Sequence, residues 1–159
     1  YPDDVDLQGT REIKRIKARV EGERLPQGVD PHRHLKLGPG TLSDVEWLVQ
    51  LLQLQHGARV AGLRTQSTLG ALNAAVEAGL IATAQAGRRA EAWTLASRLR
   101  SANTLWSGRA SEVLPTDRRQ LDGIARMLGA APGSATEIEE RYMATTRRAR
   151  RVFETLFYG

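Results

Sequence analysis

Apolar residues recur every three or four positions in six segments of the chain, and this spacing is typical of amphipathic α-helices. Glycine or proline separates the segments, as helix ends require. The pattern predicts helices over about residues 7–21, 43–56, 66–78, 83–106, 117–128 and 135–157. No segment shows a convincing strand pattern. We therefore predict an all-α fold, an antiparallel helical bundle of about six helices.

The composition suits such a bundle. Hydrophobic residues make up 41% of the chain and aromatic residues only 5%, so the core must consist mostly of Leu, Ala, Val and Ile. A length of 159 residues fits one domain. We expect a single helical-bundle domain over residues 1–159, with an N-terminal helix and long loop in 1–40 and the bundle core in 41–159.

The charge and the residue types absent from the chain narrow its function. A net charge of +5 favours a nucleotide, an acidic protein or nucleic acid as partner, but no recognition-helix motif supports nucleic acid. No apolar run approaches the roughly 20 residues of a membrane span. Cysteine is absent, which excludes disulfides and is compatible with the cytoplasm. We expect a cytoplasmic protein without nucleic-acid or membrane partners.

No complete catalytic or metal-binding constellation can be found in the sequence. A Walker-type phosphate loop and a nucleophile elbow are both missing. Asp4 and Asp6 have the spacing of paired metal ligands, but no strand leads into them, and we interpret them as solvated. His32 and His34 lack an obvious third ligand and are more simply two solvent-exposed loop histidines. We therefore predict no catalytic and no metal-ligating residue. We interpret the chain as one part of a larger enzyme.

A glycine-containing turn leads into the second helix. Gly38 and Gly40 lie in this turn, Lys36 lies just before it, and exposed N–H groups at a helix start favour anions. Ser43 and Glu46 have the spacing of a capping box. Asp44 and Glu46 are two residues apart and point in different directions, so one of them is free to face a partner.

This stretch resembles a signature of the helical domains in glutamine synthetase adenylyltransferase, and a related bundle occurs in PII uridylyltransferase. The signature reads Gly-Gly-(Ile/Leu)-x-Asp-(Ile/Val)-Glu-(Phe/Trp)-x-x-Gln, and residues 40–50 match it with Thr41 in place of the second glycine. Residues 97–103 resemble the arginine-rich bundle helix of the family. Residues 114–129 resemble its Leu-Pro-x-Asp segment, and residues 152–159 resemble the C-terminus of actinobacterial members.

The resemblance implies a helical domain, most simply the C-terminal bundle, beside a nucleotidyltransferase domain. The full-length enzyme attaches AMP from ATP to a tyrosine of glutamine synthetase and removes it again, under control of PII protein. ATP and Mg²⁺ would be cofactors of the full-length enzyme, and we expect none to bind this chain alone. The expected partners are the chain's own nucleotidyltransferase domain, glutamine synthetase and PII. The isolated chain is expected to be inactive.

The resemblance also yields candidate site residues. Lys36, Gly38, Gly40, Asp44 and Glu46 are predicted to face the catalytic cleft. A further set on the fourth helix is Arg98, Arg100 and Asn103, for which a solvated basic face is the alternative. The basic run at residues 147–151 is either a solvated stripe or a docking surface for an acidic partner. A regulatory bundle that binds only proteins is the competing function.

Overall fold

The computed structural model describes residues 7–159, so the Asp4–Asp6 pair lies outside the described residues. The described part contains six α-helices and no strand, which confirms the all-α prediction. These helices are α1 (Leu7–Arg24), α2 (Leu42–His56), α3 (Thr68–Glu77), α4 (Thr83–Ser107), α5 (Arg118–Met127) and α6 (Ala135–Phe153). Short 3-10 turns, Pro31–Arg33 and Ala61–Leu63, lie in the connections, and a π-helical turn, Glu154–Tyr158, follows α6.

The C-terminal ends of two helices, α1 and α6, differ from the predicted ones by more than one residue. α1 continues beyond Gly22 to Arg24, because an exposed glycine can be accommodated inside a helix at a modest cost. α6 was predicted to reach Phe157, but its α-helical hydrogen bonds end at Phe153 and a π-helical turn takes over. The widened turn keeps Phe157 fully buried against Phe153, with ring centroids 4.8 Å apart.

The predicted capping box between Ser43 and Glu46 is wrong. α2 begins one residue earlier, with Thr41 as the N-cap, and the Thr41 side chain makes no capping hydrogen bond. The backbone N–H of Ser43 donates instead to the carbonyl of Lys36 at 2.8 Å. The carboxylate of Asp44 reaches back and accepts a hydrogen bond from the N–H of Gly40 at 2.6 Å.

The core consists of two apolar clusters that meet along α4 and α6. One cluster joins the C-terminal half of α4 to α5 and the N-terminal half of α6. The other joins the start of α4 to α2, α3 and the end of α6, where Phe153 and Phe157 are buried. The two long helices are therefore antiparallel. Leu105, in the last turn of α4, is 72% exposed.

Within residues 7–159 no helix combines the length and the apolar character that a membrane crossing needs.

Candidate functional site

The loop before α2 is fixed to a second loop that precedes α5. The N–H of Leu35 donates to the carbonyl of Glu112, and the N–H of Leu114 donates to the carbonyl of Arg33, both at 2.7 Å. His34 forms an isolated antiparallel bridge with Val113. These contacts hold the turn at 38–40 in one position relative to the bundle.

The prediction that both loop histidines are solvent-exposed is right for His32 and wrong for His34. His34 is only 3% exposed, and its Nδ1 accepts hydrogen bonds from the N–H groups of Lys36 (3.3 Å) and Leu37 (2.9 Å). Burial lowers the pKa of His34, with the positive charges of Arg100 and Lys36 adding to the effect and Glu112 opposing it. A neutral His34 therefore shapes the turn.

Gly38 and Gly40 permit close backbone contacts that no other residue would allow. A Cβ atom on Gly38 would lie 2.4 Å from the carbonyl oxygen of Pro31. A Cβ atom on Gly40 would lie 2.0 Å from the carbonyl oxygen of Thr146 on α6, and its φ of +76° adds a second reason for glycine. Both glycines are buried, and they bring the start of α2 against α6.

Thr41 stands where the family signature has a second glycine, and its backbone does not need one. Its φ is −99°, in the extended region that any residue adopts. The buried hydroxyl of Thr41 donates to the carbonyl of Gly38 at 2.6 Å. Threonine at this position therefore closes the turn by its side chain.

Asp44 connects three helices through an ion-pair network. Its carboxylate is 1% exposed and lies 2.9 Å from the Lys17 ammonium on α1 and 3.1 Å from Arg150 Nη1 on α6. Arg150 Nη1 also contacts Glu21 at 2.6 Å, which closes the network back onto α1. Burial alone would lower the pKa of Arg150, but the negative charges of Asp44, Glu154 and Glu21 raise it.

Three cations of this region surround the ring of Phe153. Lys17 Nζ, Arg89 Cζ and Arg150 Cζ lie 5.4, 5.0 and 5.1 Å from its centroid, distances at which a cation is attracted to an aromatic face. Arg89 is fully buried, and within residues 7–159 its guanidinium has no hydrogen-bond partner. Burial lowers the pKa of Arg89 to about 10, although the Asp44 charge opposes the shift.

Glu46 and Gln50 occupy the opposite, outward side of α2. They are one helical turn apart and therefore adjacent, and neither side chain has a partner among residues 7–159. Both line a polar groove of about 550 Å³ between α2 and the segment that leads into α3. Gln53 also lines the groove and fixes its far wall by donating to the carbonyls of Leu63 (2.8 Å) and Thr65 (2.9 Å).

The predicted residues of α4 have different surroundings. Asn103 is 1% exposed, and its amide donates to the carbonyl of Val113 at 3.1 Å. Arg100 forms an ion pair with Glu112, so both residues hold the loop before α5. Arg98 is exposed and lines a shallow groove at the end of α4.

The predicted cleft-facing residues therefore fall into two groups in this chain. Gly38, Gly40 and Asp44 are buried and serve the contacts between helices, whereas Lys36 and Glu46 remain partly accessible. A contact with nucleotide stays a prediction for all five. Among the described residues, no group of three or more His, Asp or Glu side chains comes together as a metal site would require.

The described residues form an all-α bundle in which a glycine-containing turn brings the start of α2 against α6. Residues 12–157 match the family described as GlnD PII-uridylyltransferase, and the chain belongs to this family. The resemblance inferred from residues 40–50 is thereby confirmed.

Curated relatives share the sequence over nearly its whole length. A bifunctional glutamine synthetase adenylyltransferase/adenylyl-removing enzyme of Leifsonia xyli is 58% identical over 159 residues, 100% of this chain. Proteins of the same description from Streptomyces coelicolor and Cutibacterium acnes are 55% and 48% identical over 94% and 100% of the chain. The chain spans only 16%, 15% and 16% of the length of these three relatives.

Sequence reasoning missed the three cations around Phe153, namely Lys17 and Arg150 of the ion-pair network and the buried Arg89. A signal for two of them was present. Lys17 lies four residues after Ile13, and Arg89 lies three residues before Ala92, so each charge falls on the apolar stripe of its helix. A lone cation on such a stripe is a candidate for burial with a partner.

Proposed function

We propose that this chain is the helical domain beside a nucleotidyltransferase domain, in an enzyme that transfers AMP from ATP to a tyrosine of glutamine synthetase and removes it. The observation that carries the proposal is 58% identity over the whole chain to a relative described as a bifunctional enzyme of this kind. The proposal assigns ATP and Mg²⁺ to the nucleotidyltransferase domain. It also includes PII as a regulatory partner and the cytoplasm as the location.

The outward face of α2 is the surface we propose for contact with the nucleotidyltransferase domain. The family signature contains positions that this fold already explains, because Gly40 and Asp44 join α2 to α6. It also contains Glu46 and Gln50, whose side chains are unpaired within residues 7–159. A carboxylate and an amide side by side would hydrogen-bond well to arginine, lysine or backbone N–H groups of a neighbouring domain.

The test is Glu46→Gln in the full-length enzyme, which removes the charge and keeps the shape. We expect AMP transfer to glutamine synthetase to fall about tenfold, as the loss of one charge-assisted hydrogen bond would cause. The thermal unfolding of the 159-residue chain should not change, since Glu46 makes no contact that stabilises it. Glu140→Gln is the matched control, because Glu140 is exposed on α6 and is likewise unpaired within residues 7–159.

Two results would count against the proposal in different ways. Equal activity of the Glu46→Gln and Glu140→Gln enzymes would contradict the proposed contact between the outward face of α2 and the nucleotidyltransferase domain. A full-length wild-type protein without AMP transfer or AMP removal would remove the proposed function itself.

One observation favours the alternative, a regulatory bundle that binds proteins. Leu105 is 72% exposed, and Trp106 (49%) and Met127 (45%) are exposed large apolar residues at the same end of α4 and α5. Such a patch is characteristic of protein contacts. The substitution Leu105→Ser should then reduce the response to PII while leaving basal AMP transfer unchanged. A loss of basal transfer with an intact PII response would contradict this role.

A further inference from the structure

A second groove lies between the turn that precedes α2 and the outer face of α6. Its volume is about 530 Å³. Pro39 and Met143 supply apolar wall, and Arg147 and Arg151 lie along the side formed by α6. The groove is separate from the polar groove of Glu46 and Gln50, with which it shares no lining residue.

Two of the five charged residues that line this groove, Arg150 and Glu154, compensate each other. Arg150 contacts Glu154 through Nε at 2.9 Å, in addition to its contacts with Asp44 and Glu21. Asp30, the other acidic residue of the lining, accepts a hydrogen bond from the N–H of His32 at 3.0 Å and caps a 3-10 turn.

Arg147 and Arg151 differ from Arg150. Within residues 7–159 neither guanidinium has an ion-pair or hydrogen-bond partner, and both side chains are exposed. They are four residues apart on α6 and therefore project from the same side of the helix. Two uncompensated positive charges thus lie one helical turn apart, beside an apolar wall.

We propose that this groove binds an organic phosphate, with the phosphate group between Arg147 and Arg151 and the organic portion against Met143 and Pro39. A guanidinium group offers paired donors that match the oxygens of a phosphate. A phosphate monoester carries between −1.5 and −2 charges at about pH 7, which fits two free arginines better than a carboxylate with one charge. This site does not depend on adenylyl transfer or on the α2 face.

The proposal predicts an order of affinity among three simple probes. Phenyl phosphate, inorganic phosphate and benzoate would be titrated into the 159-residue chain at low ionic strength and followed by calorimetry. Phenyl phosphate should bind about fivefold more tightly than inorganic phosphate, because its ring buries apolar surface. It should bind about tenfold more tightly than benzoate, because benzoate carries a single charge. Benzoate binding as tight as phenyl phosphate would overturn the assignment of phosphate.

Substitutions locate the site. Arg147→Gln and Arg151→Gln should each weaken phenyl phosphate binding about tenfold, as the loss of a charge-assisted contact does. Arg148→Gln is the matched control, since Arg148 is exposed on the same helix but faces Glu91 at 3.8 Å. It should change the affinity by less than about twofold. Equal weakening by all three substitutions would indicate attraction to overall charge alone and overturn the site. Absence of saturable binding of phenyl phosphate by the wild-type chain would do the same.

Discussion

Removal of the Asp44 carboxylate should destabilise the chain more than any other single truncation at the start of α2. Asp44→Ala leaves the Lys17 ammonium, which is 2% exposed, with Glu21 at 3.8 Å as its only carboxylate partner among residues 7–159. Loss of one member of a buried ion pair costs about 3–5 kcal/mol. The orphaned N–H of Gly40 adds about 1 kcal/mol. The expected loss of about 4–6 kcal/mol is a large part of the stability of a typical domain.

Thermal and urea unfolding followed by circular dichroism measure this loss. For a chain of this size each kcal/mol lowers Tm by about 2–4 °C, so we expect a decrease of about 10–20 °C. Asp44→Asn should lose less, because an amide oxygen still accepts from Gly40. Glu46→Ala, two residues further along α2 and on its outward face, should change stability by less than about 0.5 kcal/mol. Similar losses for Asp44→Ala and Glu46→Ala would refute the argument that the network stabilises this helix start.

Three further substitutions test the turn. Gly40→Ala should cost several kcal/mol, whereas Gly79→Ala, with a φ of +73° but no atom within 4 Å of the added Cβ, should cost only about 1–2 kcal/mol in an unfolding assay. Equal losses of stability for the two variants would mean that the positive φ alone, and not the close contact with Thr146, determines the effect. Thr41→Val should lose about 1 kcal/mol with the hydroxyl hydrogen bond, and an unchanged midpoint in urea would contradict that contact. Burial lowers the pKa of His34 below 6.5, so its stabilising contribution is complete above about pH 6.5 and declines as the pH falls through the folded-state pKa. His34→Asn keeps a hydrogen-bond acceptor but does not titrate, so the free energy of unfolding should vary less with pH in that window. An unaltered pH dependence would exclude His34 as its cause.

The helices could be predicted from the sequence because their apolar spacing is local information. The hydrogen bonds at the start of α2 could not be predicted correctly, because Asp44 is positioned by Lys17 and Arg150, which are far from it in the chain. Ser43 has the right type and spacing for a capping box, but Asp44 is held by Lys17 and Arg150 and takes the free N–H of Gly40 instead. A tertiary ion pair here overrides a local propensity.

The candidate site was only partly predictable for a similar reason. The signature marks Gly40, Asp44 and Glu46 together, and nothing in the sequence tells which of them face inward. The direction follows from the closeness of α2 to α6, which is visible only in three dimensions as the short distance from Gly40 to Thr146. The loop contacts of Asn103 could not be predicted either, because they depend on where residues 111–113 return to α4.

The buried network has a consequence for the outward face of α2. Buried ion pairs stabilise a fold little compared with well-packed apolar residues, so stability alone is a weak reason for Lys17, Asp44 and Arg150. Their geometry, however, is specific, because one carboxylate must meet a cation from α1 and another from α6 at the same time. Rotation of α2 by one residue, about 100°, would break both contacts. The network therefore fixes the rotation of α2, and with it the direction in which Glu46 and Gln50 project.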